Sequence, residues 1–179
     1  MTTIRLMTKN DIPRIAPIHR TAQIESERGI IFDSDLERKS LQSYQDDWGN
    51  WSNDPEIYTL VAEQDKNIQG FITFGRVKTR PAQDKGVVPK YGAELYALYI
   101  DPNHWRQGVG SALFQSMIDH LITQKHIGLL LWVLKKNKRA IAFYDRIKGA
   151  EKIGRQRVDM GEKSWAEESC IAWRDVRKI

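Results

Sequence analysis

Residues 93–113 read Ala-Glu-Leu-Tyr-Ala-Leu-Tyr-Ile-Asp-Pro-Asn-His-Trp-Arg-Gln-Gly-Val-Gly-Ser-Ala-Leu, and this stretch decides the fold. It reads as a strand (Leu95 to Ile100), a tight basic glycine loop and the start of a helix (Gly108 to Thr123). That order aims several main-chain N–H groups at one spot, at the positive end of a helix dipole. Such a spot suits a phosphate or diphosphate. Gly108 and Gly110, flanking Val109, let the backbone approach a ligand closely. Arg106 adds a fixed positive charge and Ser111 a further hydrogen-bond donor. Two glycines before a helix also describe a simple tight turn. No lysine follows Gly110 as in a triphosphate-binding loop, and Leu113 stands where a dinucleotide fingerprint needs Gly or Ala.

Outward from this stretch, Ile4 to Met7 reads as a first strand. Asn10 and Asp11 cap a helix with Pro13 in its first turn, and Pro17 shortens or kinks it. A second helical stretch runs from Leu36 to Gln45, and Trp48 to Asn53 is a turn region. Ile57 to Glu63 and Ile68 to Val77 form a hairpin around Asp65, Lys66 and Asn67, with Gly70 and Gly75 as bulge or close-packing sites. Thr79 to Gly92 is a long loop with Pro81 and Pro89. Ile127 to Leu134 is apolar throughout, as in a strand buried on both faces. Asn137 opens a helix over Lys138 to Ile147, stopped by Gly149. Lys152 to Val158 and Ser169 to Trp173 are final strands around a turn at Gly161. Hairpins mix with crossovers, so the fold class is mixed α/β, a mixed sheet flanked by helices.

The 179 residues read as one domain over 1–179, long enough to bury roughly 70% of the unfolded surface. The formal net charge of +5 suits an anionic ligand, nucleic acid or nothing specific. The basic residues are scattered, without a basic helix or an aromatic-basic pattern, so no nucleic-acid partner is expected. The lone Cys170 sits in an apolar run and reads as a buried thiol. No apolar run reaches the roughly 20 residues of a membrane span, and the amino-terminal residues lack a signal-type apolar core. A cytoplasmic location without membrane association is expected. His19, His104, His120 and His126 have no metal-ligand spacing, so no metal is expected.

Two blocks, Glu94 to Leu113 and Asn137-Lys-Arg-Ala140-Ile-Ala-Phe143-Tyr144, resemble the GNAT superfamily of acyl-CoA-dependent N-acyltransferases. The resemblance extends in element order over nearly the whole chain. It implies a mostly antiparallel sheet of about seven strands flanked by about four helices, with a V-shaped splay between the two central strands. It further implies that Arg106, Gln107, Gly108, Val109, Gly110 and Ser111 hold the diphosphate of acetyl-CoA. The backbone of Leu98, Tyr99 and Ile100 would pair with pantetheine, and Asn137 would contact the same arm. Tyr144 would serve as general acid near the thioester sulfur, and also contact the cofactor. Trp105 departs from the usual Gln or Arg three places before the first loop glycine. Homodimers are common in the superfamily, so a dimer is an expectation by analogy.

An aliphatic amine of pKa near 10.4 is almost wholly protonated at neutral pH, so a carboxylate must take its proton directly or through water. Glu94 begins the strand leading to the loop and matches the catalytic glutamate of histone-type members. A solvent-facing strand residue is the other reading of Glu94, and a packed helix residue the other reading of Tyr144. Tyr96 shares the face of Glu94 by period two. Glu25, Glu27 and Arg28 follow the first helix, where this superfamily commonly builds its acceptor site, and Trp48 and Trp51 would wall the same pocket; ordinary core or surface packing is the other reading of each. The expected reaction is direct acetyl transfer from acetyl-CoA to a primary amine through a tetrahedral intermediate. The expected acceptor is a small molecule such as an amino acid or a phosphinothricin-like amine. A protein N-terminus or lysine is the alternative acceptor. A non-catalytic acyl-CoA-binding module is the alternative from another class.

Overall fold

The computed structural model describes residues 2–78 and 92–179. The loop read over Thr79 to Gly92 lies outside the described residues, except for Gly92. The elements are β1 (Thr3–Leu6), α1 (Ile12–Glu27), α2 (Asp33–Leu36), α3 (Leu41–Trp51), β2 (Ile57–Gln64), β3 (Asn67–Arg76), β4 (Ala93–Ile100), α4 (Val109–Thr123), β5 (Leu129–Leu134), α5 (Lys138–Tyr144), β6 (Glu151–Asp159) and β7 (Trp165–Trp173). The strands form one sheet in the order β1-β2-β3-β4-β5-β7-β6, antiparallel except where β4 meets β5. This is the mixed, mostly antiparallel seven-stranded sheet that the sequence implies.

Side-chain alternation builds a core on each face. Leu60, Ile72, Phe74, Leu95, Leu129 and Leu131 pack against Leu113, Phe114, Met117, Ile118 and Leu121 of α4. On the other face Val61, Phe71 and Ala97 pack against Ile15 and Ala16 of α1 and Tyr44 and Trp48 of α3. The apolar run Leu129–Leu134 is buried along both faces, with Leu130 beside Cys170 and Ala172.

Several boundaries differ from expectation. The helix read over Leu36 to Gln45 is two helices, because Ser40 caps α3 by accepting from the Ser43 N–H at 3.1 Å. Trp48 and Trp51 lie inside α3 rather than in a turn, since Trp48 packs edge-on against Phe71 of β3 at 4.9 Å. The first helix continues through Pro17 to Glu27, which also places Glu25 and Glu27 within α1 rather than after it. The helix opened by Asn137 ends at Tyr144, three residues before Ile147. β7 begins at Trp165, four residues ahead of Ser169.

Two polar assemblies fix the α1 side of the sheet. Arg5 on β1 grips the buried Asp11 with its two terminal guanidinium nitrogens, at 2.8 and 2.9 Å, and reaches Glu63 of β2 through Nε at 2.7 Å. Arg14 joins Asp11 at 2.6 Å, and the Thr8 N–H donates to the same carboxylate at 2.8 Å. Beyond α1, the Asp35 carboxylate of α2 accepts from the N–H groups of Glu162 and Lys163 in the β6–β7 turn, both at 3.1 Å. The Phe32 N–H donates to Ser164 Oγ at 3.0 Å. A side chain at Gly161 would collide with Asp35.

Arg5 beside Asp11 holds its carboxyl well below the usual carboxylate range, against the opposing effect of burial. This stabilisation is complete above the unfolded pKa of about 3.9 and fades as pH falls towards the folded value. Asp11→Asn is expected to cost about 2 kcal/mol at pH 7 and to flatten the loss of stability between pH 4 and pH 2. Urea unfolding across that range checks both effects, and an unchanged acid slope would remove Asp11 from this role.

Candidate active site

The site is built where β4 and β5 part. Their parallel pairing holds only Ala93–Leu129, Glu94–Leu130 and Leu95–Leu131. β4 then continues to Ile100 along β3, while β5 continues to Leu134 along β7. Thr73 pairs with Ala97 but Phe74 with Leu95, so Tyr96 is an extra residue that bulges β4 at the parting point. Ala93 to Leu95 are buried, whereas Leu98, Tyr99 and Ile100 are half-buried.

Main-chain direction along the opened edge follows from neighbouring contacts. Tyr99 O lies against Gly70 of β3, close enough that a Cβ there would sit 2.7 Å from it. The Asp101 N–H donates to Gln69 O at 2.8 Å. Tyr99 and Asp101 therefore turn their main-chain groups towards β3. Leu98 and Ile100, alternating with them, turn theirs towards the gap left by β5. The Ile100 carbonyl accepts from the Trp105 indole N–H at 2.8 Å. Of the three residues expected to offer backbone to pantetheine, Leu98 and Ile100 face the gap and Tyr99 does not.

The gap leads to the amino terminus of α4. Arg106 (φ +62°) and Gly108 (φ +84°) both adopt left-handed backbone. Gly108 is the cap residue, and no side chain caps the helix. The first intrahelical bond runs from Ala112 N–H to Gly108 O at 3.0 Å, so the N–H groups of Val109, Gly110 and Ser111 precede the helical ladder. Val109 is buried and anchors the turn. A Cβ at Gly110 would make only ordinary contacts, with Ile100 and Phe143 at 3.8 and 3.9 Å. Gln107 donates its amide to Asn103 O at 3.0 Å and thereby braces the loop.

The departure at Trp105 has a structural counterpart. The Arg139 guanidinium of α5 lies 3.5 Å over its ring, a cation–π contact that brings a positive charge beside the loop. Burial lowers the pKa of Arg139 and the Glu25 charge opposes that. Asn137 caps α5, its Oδ1 accepting from Ala140 N–H at 3.0 Å.

Glu94 is buried rather than solvent-facing, and its carboxylate accepts from the Lys78 N–H at 2.7 Å. It lies in the last paired stretch, at the apex of the splay. Tyr96 shares its surroundings: its hydroxyl donates to Arg76 O, Lys78 Nζ lies 4.2 Å over its ring, and the Glu94 charge adds to burial in raising its pKa. Tyr144 is buried in the α4 core, 5.1 Å from the Phe143 ring and 6.4 Å from Trp173. Burial raises its pKa well above that of an ordinary phenol. Tyr99 lies on the α1 face and Tyr144 on the α4 face. Even so, Tyr144 is among the groups that act on the Tyr99 hydroxyl.

A sheet that parts over an uncapped helix terminus suits an extended ligand ending in an anion. A sequence profile of the Acetyltransferase (GNAT) family matches residues 21–150. The N-acetyltransferase YuaI of Bacillus subtilis, itself uncharacterised, is 28% identical over 145 residues, 80% of this chain and 78% of that protein. Mycothiol acetyltransferase of Kocuria rhizophila is 31% identical over 121 residues, 68% of this chain but 36% of that longer protein. The PaiA N-acetyltransferase of Thermoplasma acidophilum, solved with coenzyme A, superposes with a TM-score of 0.73 at 17% identity, covering 97% of this chain and 98% of that one. The chain belongs to the GNAT family of acetyltransferases and is an acetyl-transferring enzyme. Among the described residues no helix is long and apolar enough to cross a membrane.

Gly110→Asp tests the loop with effects of opposite sign. A carboxylate in the first turn favours the helix dipole by about 0.5 kcal/mol, so the thermal midpoint should hold or rise. The same charge repels an anion, so calorimetric affinity for coenzyme A should fall at least about tenfold. Unchanged affinity would move the anion site elsewhere.

Proposed function

We propose that this enzyme transfers the acetyl group of acetyl-CoA to the primary amine of a small molecule. One observation carries the reading. Among the described residues the β4 edge at Leu98 and Ile100 has no partner strand on the β5 side, and it runs directly to the unladdered N–H groups of Val109, Gly110 and Ser111. An extended chain bearing amides fits the edge as a pseudo-strand, and a diphosphate fits the helix terminus. The residues present therefore suit coenzyme A, whose acetyl thioester supplies the activated acyl group. Arg106, and Arg139 on its Trp105 platform, add cations beside the diphosphate. Asn137 spends its oxygen on α5, which leaves its amide nitrogen for the pantetheine arm. An outward N–H of β4 stabilises charge developing on the carbonyl oxygen.

Glu94 at the apex is the proposed proton acceptor for the attacking nitrogen. Its buried setting, fixed by the Lys78 N–H, keeps the carboxylate in one orientation. Tyr144 is the proposed proton donor to the departing sulfur. Burial keeps its phenol protonated across the working range, which a general acid requires.

Calorimetric titration with acetyl-CoA should give micromolar binding, and its absence from the folded protein would overturn the reading. Tyr144→Phe should lower kcat by about 10²–10⁴ with an unchanged Kd for acetyl-CoA. Equal losses in both would assign Tyr144 to packing alone.

A further inference from the structure

The far end of α1 brings a carboxyl group to the open side of the splay. His19, Gln23 and Glu27 recur at four-residue intervals and so share one helix face. The His19 ring lies 4.9 Å from both Tyr44 of α3 and Tyr99 of β4, which sets that face against the parted edge. The Tyr44 hydroxyl donates to Gln23 Oε1 at 2.9 Å, and the Gln23 amide donates to Glu27 Oε2 at 3.3 Å. Glu27 is only 6% exposed. Among the described residues this long amide bond is its one side-chain partner, since the adjacent Arg28 pairs with Glu25 at 3.5 Å.

A second acid stands nearby. Glu168 of β7 lies opposite Leu134, beyond the last β4–β5 pair, and accepts from Gln156 at 2.8 Å. Burial first, and then the Glu168 charge, push the Glu27 carboxyl up to about 7, with the Gln23 bond opposing. Tyr99 of β4 meets the His19 end of this face, and Ile24, three residues before Glu27, packs on the cluster that holds Leu134 of β5 beyond the last β4–β5 pair, so α1 spans the parted strands. A buried carboxylate without a cation is costly to keep. Here a carboxyl group is buried near the carboxy-terminal end of α1, one amide away from the Tyr44 hydroxyl, and among the described residues no lysine or arginine pairs with it.

We infer that Glu27 seats the acceptor's ammonium group, with Gln23, Tyr44 and Tyr99 around it, so that the acceptor is a cationic alkylamine. The inference rests on the acetyltransferase reading and assigns the substrate class of that same site. An incoming R–NH3+ supplies the charge that the fold withholds from Glu27, and its remaining N–H bonds point to tyrosine hydroxyls and faces. An α-amino acid brings a carboxylate towards Glu27 and Glu168 and is disfavoured. An arylamine is uncharged at neutral pH and gains nothing from Glu27.

The test is steady-state thiol release from acetyl-CoA with an alkylamine, an alkyl diamine, an α-amino acid and an arylamine. Alkylamines should exceed the other two in kcat/KM by about tenfold or more. Glu27→Gln, equal in size, should raise alkylamine KM by about ten- to hundredfold, with kcat little changed and the acetyl-CoA Kd unmoved. Glu27→Asp should recover part of the loss. The preference profile of the native enzyme needs no variant to fold. Acetyl-CoA binding with turnover confined to arylamines or amino acids overturns the inference and leaves the acetyltransferase reading standing. So does an unchanged KM in folded Glu27→Gln. Failure of the native enzyme to bind acetyl-CoA overturns both.

Discussion

Three residue pairs join the two halves of this sheet, and the rest of the molecule is arranged around the shortness of that seam. β4 is committed to β3 by seven pairs, and β5 to β7 by six. The halves diverge because each strand follows its antiparallel neighbour. The bulge at Tyr96 and the close approach of Gly70 to Tyr99 hold β4 to its course. Backbone groups left without a ladder must find other partners. At Leu98 and Ile100 one such partner is already internal, the Trp105 indole. The remainder of the edge faces the gap.

The helix terminus at the end of that edge extends the same logic. An uncapped terminus leaves N–H groups unsatisfied, and most helices recruit a serine, threonine or aspartate to meet them. α4 begins instead at a left-handed glycine, and its first turn carries Gly110 and an exposed Ser111. Gly110 weakens the helix by about 1 kcal/mol relative to alanine, and neither its backbone angle nor its neighbours demand a glycine. The small residue leaves the approach to the N–H groups low.

The fold was legible where chemistry is local. The glycine loop, the apolar run of β5 and the hairpin turn at Asp65 and Lys66, both left-handed, announce themselves within a few residues. Legibility failed where distant contacts decide. Trp48 and Trp51 look like turn residues until Phe71 gives α3 a surface to pack on. Glu94 on a strand resembles a solvent-side residue, and its burial depends on β3, β5 and the Lys78 N–H. The family resemblance pointed to the loop, the splayed edge, Asn137 and Tyr144, but could not orient Tyr99 away from the gap. The face formed by His19, Gln23 and Glu27 was not legible, because Glu25 and Glu27 read as following the first helix rather than lying on it. Its surroundings were equally hidden, because Tyr99 and Glu168 reach it only through the tertiary fold.

The bond between Asp35 and the β6–β7 turn ties the segment after α1 to a hairpin more than a hundred residues downstream. With Gly161 pressed beneath Asp35, neither segment can change shape without the other. The shapes of these two segments are therefore inherited as a matched set. A chimera that exchanges residues 28–40 with a relative, but keeps its own 160–164, joins two halves of a latch that were never fitted to each other. Divergence of either segment would have to pass through paired changes in both.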